Sequence, residues 1–146
     1  MQDYPHYYRA TASAAAESSV DVTSPGLESI ETAPPPEFGG PGDLWSPETL
    51  LAAAVANCFI LSFRAIARAA KLEWNALSCD VEAVLDRGED RVTKFTEISE
   101  RVVLDVPAGT DPAKARRLLD KAEHVCLITN SMTATTTLEA EVRVAD

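Results

Sequence analysis

Ser46-Pro-Glu-Thr-Leu-Leu-Ala-Ala-Ala-Val-Ala-Asn-Cys58-Phe-Ile-Leu-Ser-Phe63 begins with a helix-start signal and runs on as the longest apolar stretch of the chain. Ser46 carries a side-chain oxygen able to cap free N–H groups. Pro47 has the backbone angle of a first helical residue and no N–H to leave unpaired. Glu48 sets a negative charge against the positive end of the helix dipole. The pattern predicts a helix from about Pro47 to Ala70, with the thiol of Cys58 in its middle. A second thiol, Cys126, follows the other strongly helical segment. Thiols on two separate helical elements, without C-x-x-C or another metal-ligand spacing, point to thiol chemistry rather than zinc, so no metal and no cofactor is expected.

Working outward toward the C-terminus, Leu77, Cys79, Val81, Ala83 and Leu85 alternate with Asp80 and Glu82, the pattern of a half-buried strand. Phe95 to Val106 continues in strand style, with Ile98, Val102, Leu104 and Val106 at even spacing and Arg87-Gly-Glu-Asp90 as a polar hairpin connection. Asp111-Pro112 opens a second helix that should run to about Glu123, with Leu118, Leu119, Ala122 and Val125 as its apolar stripe. Thr135 to Val144 closes the chain as an alternating strand with Leu138, Ala140, Val142 and Val144 inward. Toward the N-terminus, Tyr4–Ser13 and Ser19–Val22 read as short strands, and Pro25-Gly26 as a turn. Residues 33–45 hold three consecutive prolines and then Gly-Gly-Pro-Gly, which rule out helix and central strand and predict a loop. Its Phe38 and Trp45 are large apolar groups expected to pack against something. Strands interrupted by two helices make the fold class α+β.

The 146 residues suit a single domain, residues 1–146, with a sizeable core. Thirteen basic against 23 acidic residues leave a net charge of -10, which opposes phosphate backbones and anionic lipid heads. Neither nucleic acid nor a membrane is an expected partner. The apolar run from Leu50 to Phe63 is shorter than the ~20 residues a span needs, and it contains Asn57 and Ser62. A cytoplasmic protein is the expectation, and its three cysteines fit free or transiently oxidised thiols in a reducing compartment. By pattern alone Cys58 reads equally as a core residue or a reactive thiol. Cys79, on the apolar face of a strand, reads as structural, and His124 as a group that complements the dipole at a helix C-terminus.

Three segments together resemble the OsmC/Ohr family of thiol-dependent peroxide reductases: the Phe38-Gly39-Gly40 loop, the Ser46-Pro-Glu48 helix running to Cys58-Phe59, and Lys121-Ala-Glu-His-Val-Cys126. The resemblance implies an intertwined α+β homodimer, with antiparallel sheets, a long central helix and a second helix per subunit. It implies active sites between the subunits. It also implies that Cys58 attacks a peroxide, that Cys126 resolves the product as a Cys58–Cys126 disulfide, and that Glu48 helps organise the site. Ten residues of helix separate Glu48 from Cys58 by ~15 Å of rise, so a two-fold partner is the natural way to bring such a glutamate to a thiol.

Two departures from the family pattern stand out. The family's thiolate-holding arginine has no counterpart, since neither Lys nor Arg occurs between Ala10 and Phe63. Arg9, Arg64 and Arg101 are the candidates to replace it. Leu127 stands where a proline commonly follows the resolving cysteine, a change expected to alter turn shape more than thiol chemistry. Phe38, Trp45, Phe59 and Phe63 are the expected walls of an apolar substrate pocket suited to alkyl hydroperoxides. The reading from sequence is a homodimeric organic hydroperoxide reductase regenerated by a dithiol or lipoyl-type reductant. The alternatives are a non-catalytic dimer that binds an apolar small molecule and a redox sensor.

Overall fold

A computed structural model describes every residue from Met1 to Asp146. The chain forms two compact units, Met1–Leu51 and Ala52–Asp146. In the first, β1 (Thr11–Ser13), β2 (Val20–Thr23) and β3 (Ile30–Thr32) make a three-stranded antiparallel sheet in sequential order. The expected strand Tyr4–Ser13 is reduced to its last three residues, and Tyr4, Tyr7 and Tyr8 lie exposed. Between β3 and the first helix the proline-rich segment is a loop holding one 3-10 turn, Pro36–Phe38, which the expectation of a helix-free stretch missed. Pro36 fits that turn's first position, where no N–H is needed. Gly40 folds back so closely, its N–H donating to the Pro35 carbonyl at 3.0 Å, that a Cβ there would sit 1.6 Å from the Pro34 carbonyl oxygen. The loop returns to the sheet where Ala33 N–H donates to the Trp45 carbonyl at 2.9 Å.

Helix α1, Pro47–Ala69, starts in this first unit. Ser46 and Thr49 close a reciprocal cap. Thr49 N–H donates to Ser46 Oγ at 3.1 Å, and Ser46 N–H donates to Thr49 Oγ1 at 2.8 Å. Only Thr32, Ala33 and Ser46 are buried in residues 1–51.

The second unit is built on β4 (Ala76–Arg87), β5 (Thr93–Val106) and β6 (Thr135–Val144), in that spatial order. β4 and β5 form the expected antiparallel hairpin, but β6 runs parallel to β5. That corrects the expectation of purely antiparallel sheets. The link from β5 to β6 passes through helix α2 (Pro112–His124), and a crossover through a helix returns the chain in the same direction. Asp111 caps α2, accepting from Ala113 N–H at 2.9 Å. Val125 falls just past its end and is exposed, so the buried stripe is Ala115, Leu119 and Ala122. A bulge between Val84 and Leu85 slips the register of β4, turning Val84 inward and leaving Leu85 exposed, contrary to the strict alternation read from sequence.

Val55, Phe59, Phe63 and Ala67 recur every four residues along α1 and form its buried face. Phe59, Phe63 and Ala67 meet Val102, Leu104 and Val106 of β5 and the stripe of α2 in one core. Trp74 closes its edge, its ring in T-shaped contact with Phe63 at 5.6 Å between centroids. Lys114 Nζ donates to the Ala70 carbonyl at 3.2 Å, and Arg116 Nη1 to the Ala140 carbonyl at 2.8 Å, tying α2 to the end of α1 and to β6. By length and composition α1, with a mean hydropathy of 1.9, is apolar enough to cross a membrane. The sequence reading stopped the run at Phe63, whereas the helix continues through Arg64 and Arg68. Its most regular apolar stripe is spent on the core of this unit.

Candidate active site

Cys58 lies midway along α1 and Ser62 one turn further on, with their Sγ and Oγ atoms 3.9 Å apart. Cys126 sits at the corner between α2 and the single-turn helix α3, Leu127–Asn130. Its extended backbone (φ -61, ψ 115) ends the helical path of α2 and starts α3. Cys126 is fully buried and Cys58 half-buried, and both are free thiols, each acting on the other's ionisation. Cys58 opens on a groove of about 430 Å³ lined by Ala54, Asn57, Leu61, Ser62, Leu127 and Ile128.

Burial opposes ionisation of Cys58. Hydrogen bonds from Ile128 N–H, the Cys126 thiol, the Ser62 hydroxyl and Leu127 N–H outweigh it, so the thiol lies below its ordinary value. Cys126 goes the other way. Burial pushes it up, the hydrogen bonds of Thr129 offset part of that, and the neighbouring Cys58 raises it further. The pair is therefore asymmetric, the groove-facing thiol ionising more readily than the buried one. Leu127 takes a direct part in this. Its N–H, which a proline would lack, is the smallest of the contributions that lower Cys58.

Of the arginines considered as replacements, none is among the groups acting on Cys58. Arg101 is on the outer face of β5, 4.0 Å from Glu139, and Arg64 is exposed on α1. In the first unit, the Arg9 guanidinium lies over the Tyr7 ring at 5.9 Å. Phe59 and Phe63 do not line the groove. The four-residue repeat that buries them places them on the core face of α1, while Ala54, Cys58 and Leu61 take the other. Phe38 and Trp45 are exposed in the first unit, 60% and 50% respectively. Glu48 has one carboxylate oxygen, Oε2, buried without a partner.

Two further titratable groups lie on the core face of the sheet. Cys79, on β4, has its thiol pushed up to about 12 by burial and by the charges of Glu100, Asp80 and Cys126. Glu100, on β5, is 1% exposed, and neither carboxyl oxygen has a hydrogen-bond partner. Burial and the nearby Glu123 push it up to about 7. Sequence reading passed over Glu100, Ser62 and the N–H groups of Leu127 and Ile128. The spacing of Ser62 four residues after Cys58 was a legible signal, and so was a glutamate at an inward position between Ile98 and Val102. The N–H donors leave no trace in residue identity. No cluster of three or more His, Cys, Asp or Glu side chains has the geometry to hold a metal ion.

A sequence model of the OsmC-like protein family matches residues 40–141. The uncharacterised protein YmaD of Bacillus subtilis is 31% identical over 113 residues, 75% of each chain. An organic hydroperoxide resistance protein of Xanthomonas axonopodis is 36% identical over 98 residues, 66% of each chain. Among solved structures, an OsmC-like protein of unknown function from Vibrio cholerae superposes with a TM-score of 0.83 at 18% identity, covering 93% of this chain and 99% of that one. An organic hydroperoxide resistance protein OsmC from Legionella pneumophila gives 0.75 at 26% identity, covering 97% and 100%. A helix bearing one thiol, a corner bearing a second, and a fold shared over nearly the full length thus agree with the sequence match, and the chain belongs to the OsmC family.

Proposed function

We propose that the protein is a homodimeric organic hydroperoxide reductase in which Cys58 attacks and Cys126 resolves. The observation that carries this reading is the asymmetric thiol pair, with Cys58 lowered by hydrogen bonds at the mouth of an apolar groove and Cys126 held as a thiol behind it. The Cys58 thiolate attacks the distal oxygen of R–O–OH. The O–O bond breaks, the alkoxide leaves and takes up a proton as alcohol, and the sulfur becomes a sulfenic acid. Cys126 then forms the S–S bond, displacing the hydroxyl, which departs as water with the thiol's proton. A dithiol of the lipoyl type restores both thiols by two exchange steps. The groove's Ala54, Leu61, Leu127 and Ile128 favour an alkyl hydroperoxide over hydrogen peroxide, because only the former has apolar surface to bury.

The homodimer is supported by what the single chain leaves open. Residues 1–51 bury too little to be stable alone, Phe38, Trp45 and Leu61 are exposed, and Glu48 Oε2 has no partner. The names carried by the Xanthomonas and Legionella relatives agree with a hydroperoxide substrate. A second reading, non-catalytic binding of an apolar molecule in the groove, draws on the absence of any cation beside Cys58. Consumption of cumene hydroperoxide with dihydrolipoamide as donor decides between them. Turnover that vanishes in Cys58→Ser is expected, and no consumption by the native protein at any pH from about 7 to 9 selects the binding protein.

A further inference from the structure

We propose that Ser62 is a catalytic residue of the Cys58 site: its hydroxyl, one helical turn beyond the thiol in the same groove, holds the peroxide and donates to the oxygen that leaves. The inference deepens the hydroperoxide reductase reading and rests on it.

Helix geometry fixes where this hydroxyl stands. Residues four apart lie on one face of a helix, one above the other, and Ser62 Oγ is accordingly 3.9 Å from Cys58 Sγ. Both side chains line the groove. Of its other lining residues only Asn57 has a side chain able to form hydrogen bonds, the rest being Ala54, Leu61, Leu127 and Ile128. Asn57 is the immediate sequence neighbour of Cys58, and adjacent helical residues do not face each other. Ser62 is therefore the polar side chain that faces the thiol from within the groove.

A thiolate attacks the outer oxygen of a hydroperoxide in line with the O–O bond, from about 3–3.5 Å. For an approach inclined toward Ser62, that oxygen and the one beyond it both come within ordinary hydrogen-bond reach of a hydroxyl placed 3.9 Å from the sulfur. As the S–O bond forms, the outer oxygen stays on sulfur with its hydrogen. The O–O bond breaks and its electron pair moves to the inner oxygen, which leaves as alkoxide. No cation is among the groups acting on Cys58 to meet that charge. The Ser62 hydroxyl meets it instead, and its hydrogen bond to the developing alkoxide is stronger than any it makes to the neutral peroxide. An interaction that strengthens on the way to the transition state lowers the barrier. The alcohol takes its proton from solvent, and the serine keeps its own.

The test compares electrophiles on one sulfur in single turnovers of the reduced protein. tert-Butyl hydroperoxide expels an alkoxide, whereas iodoacetamide expels iodide and has no leaving oxygen. Dividing the first rate by the second at each pH from about 6 to 9 cancels the thiolate fraction. In Ser62→Ala that ratio should fall by about tenfold, the worth of one hydrogen bond to a charged group. Ser62→Thr, which keeps a hydroxyl, should recover most of it. Peracetic acid, whose carboxylate leaves without help, should lose much less than tert-butyl hydroperoxide in Ser62→Ala. Equal losses for the two peroxides, or for peroxide and iodoacetamide, would mean that Ser62 acts only through the thiol or the shape of the groove, and would overturn the proposal. An unchanged ratio in an otherwise active protein overturns the role of Ser62 alone. Native protein that is alkylated at Cys58 but reacts with neither peroxide overturns the hydroperoxide reading and this role together.

Discussion

Replacing Glu100 by glutamine should make the protein more stable, by an amount that grows as pH rises from about 4.5 and is nearly complete at about 7. The native carboxyl is 1% exposed and has no hydrogen-bond partner, and its surroundings push it up to about 7 from 4.5. The folded protein therefore holds a proton that the unfolded chain has already released over this interval. Stability falls as pH rises from about 4.5 through 7 and levels off beyond. The shift of ~2.5 units corresponds to about 3 kcal/mol at 1.36 kcal/mol per unit. Glutamine keeps the shape and the unsatisfied polarity of the neutral acid but never ionises. Native and Glu100→Gln proteins should therefore be nearly equal at about pH 4 and separate by about 3 kcal/mol at about pH 8, on the order of 10 °C in melting temperature for a chain of this length. Urea or thermal unfolding across that range measures it. Parallel curves for the two proteins would mean that the carboxyl is solvated or paired, and would refute the reasoning.

Leu127→Pro should fold, because Cys126 before it is already extended and Leu127 is the first residue of α3, where proline is tolerated. Having lost an N–H donor, Cys58 should titrate higher by ultraviolet thiolate absorbance, and its peroxide rate should rise more steeply between about pH 7 and 9. An unchanged titration would remove Leu127 from the site. Cys126→Ser should complete a single turnover and leave a dimedone-trappable sulfenic acid on Cys58, whereas Cys58→Ser should consume nothing. A trapped sulfenic acid on Cys79 would contradict the assignment. Phe63→Ala should cost about 3–5 kcal/mol in denaturant unfolding, since the ring is wholly inside the core, and a loss below about 1 kcal/mol would mean the core is not packed there. Sedimentation at micromolar concentration should find a dimer, and a monomer would leave Glu48 as a helix-end residue.

Local chemistry written in the chain determined a good deal of this protein. The Ser46-Pro47-Glu48 start and the four-residue recurrence of Val55, Phe59 and Phe63 specify α1, and Asp111-Pro112 specifies α2. Even spacing specifies β4, β5 and β6, because caps and periodicities act between residues a few positions apart. The two thiols stood out as candidates through the motifs around them, not through periodicity, which left Cys58 equally a core residue. What the tertiary structure decided depends on residues distant in the chain. Whether β6 runs parallel follows from the path of α2 across the sheet. Whether Phe59 lines a groove or fills a core follows from which face of α1 the sheet takes. The lowered Cys58 arises from main-chain N–H groups that every non-proline residue possesses and that only the corner at Cys126 aims at the sulfur. The raised Glu100 arises from burial in the folded sheet, to which Glu123 of α2 adds. Desolvation and hydrogen-bond direction are properties of an enclosure, and an enclosure exists only once the chain has folded around it.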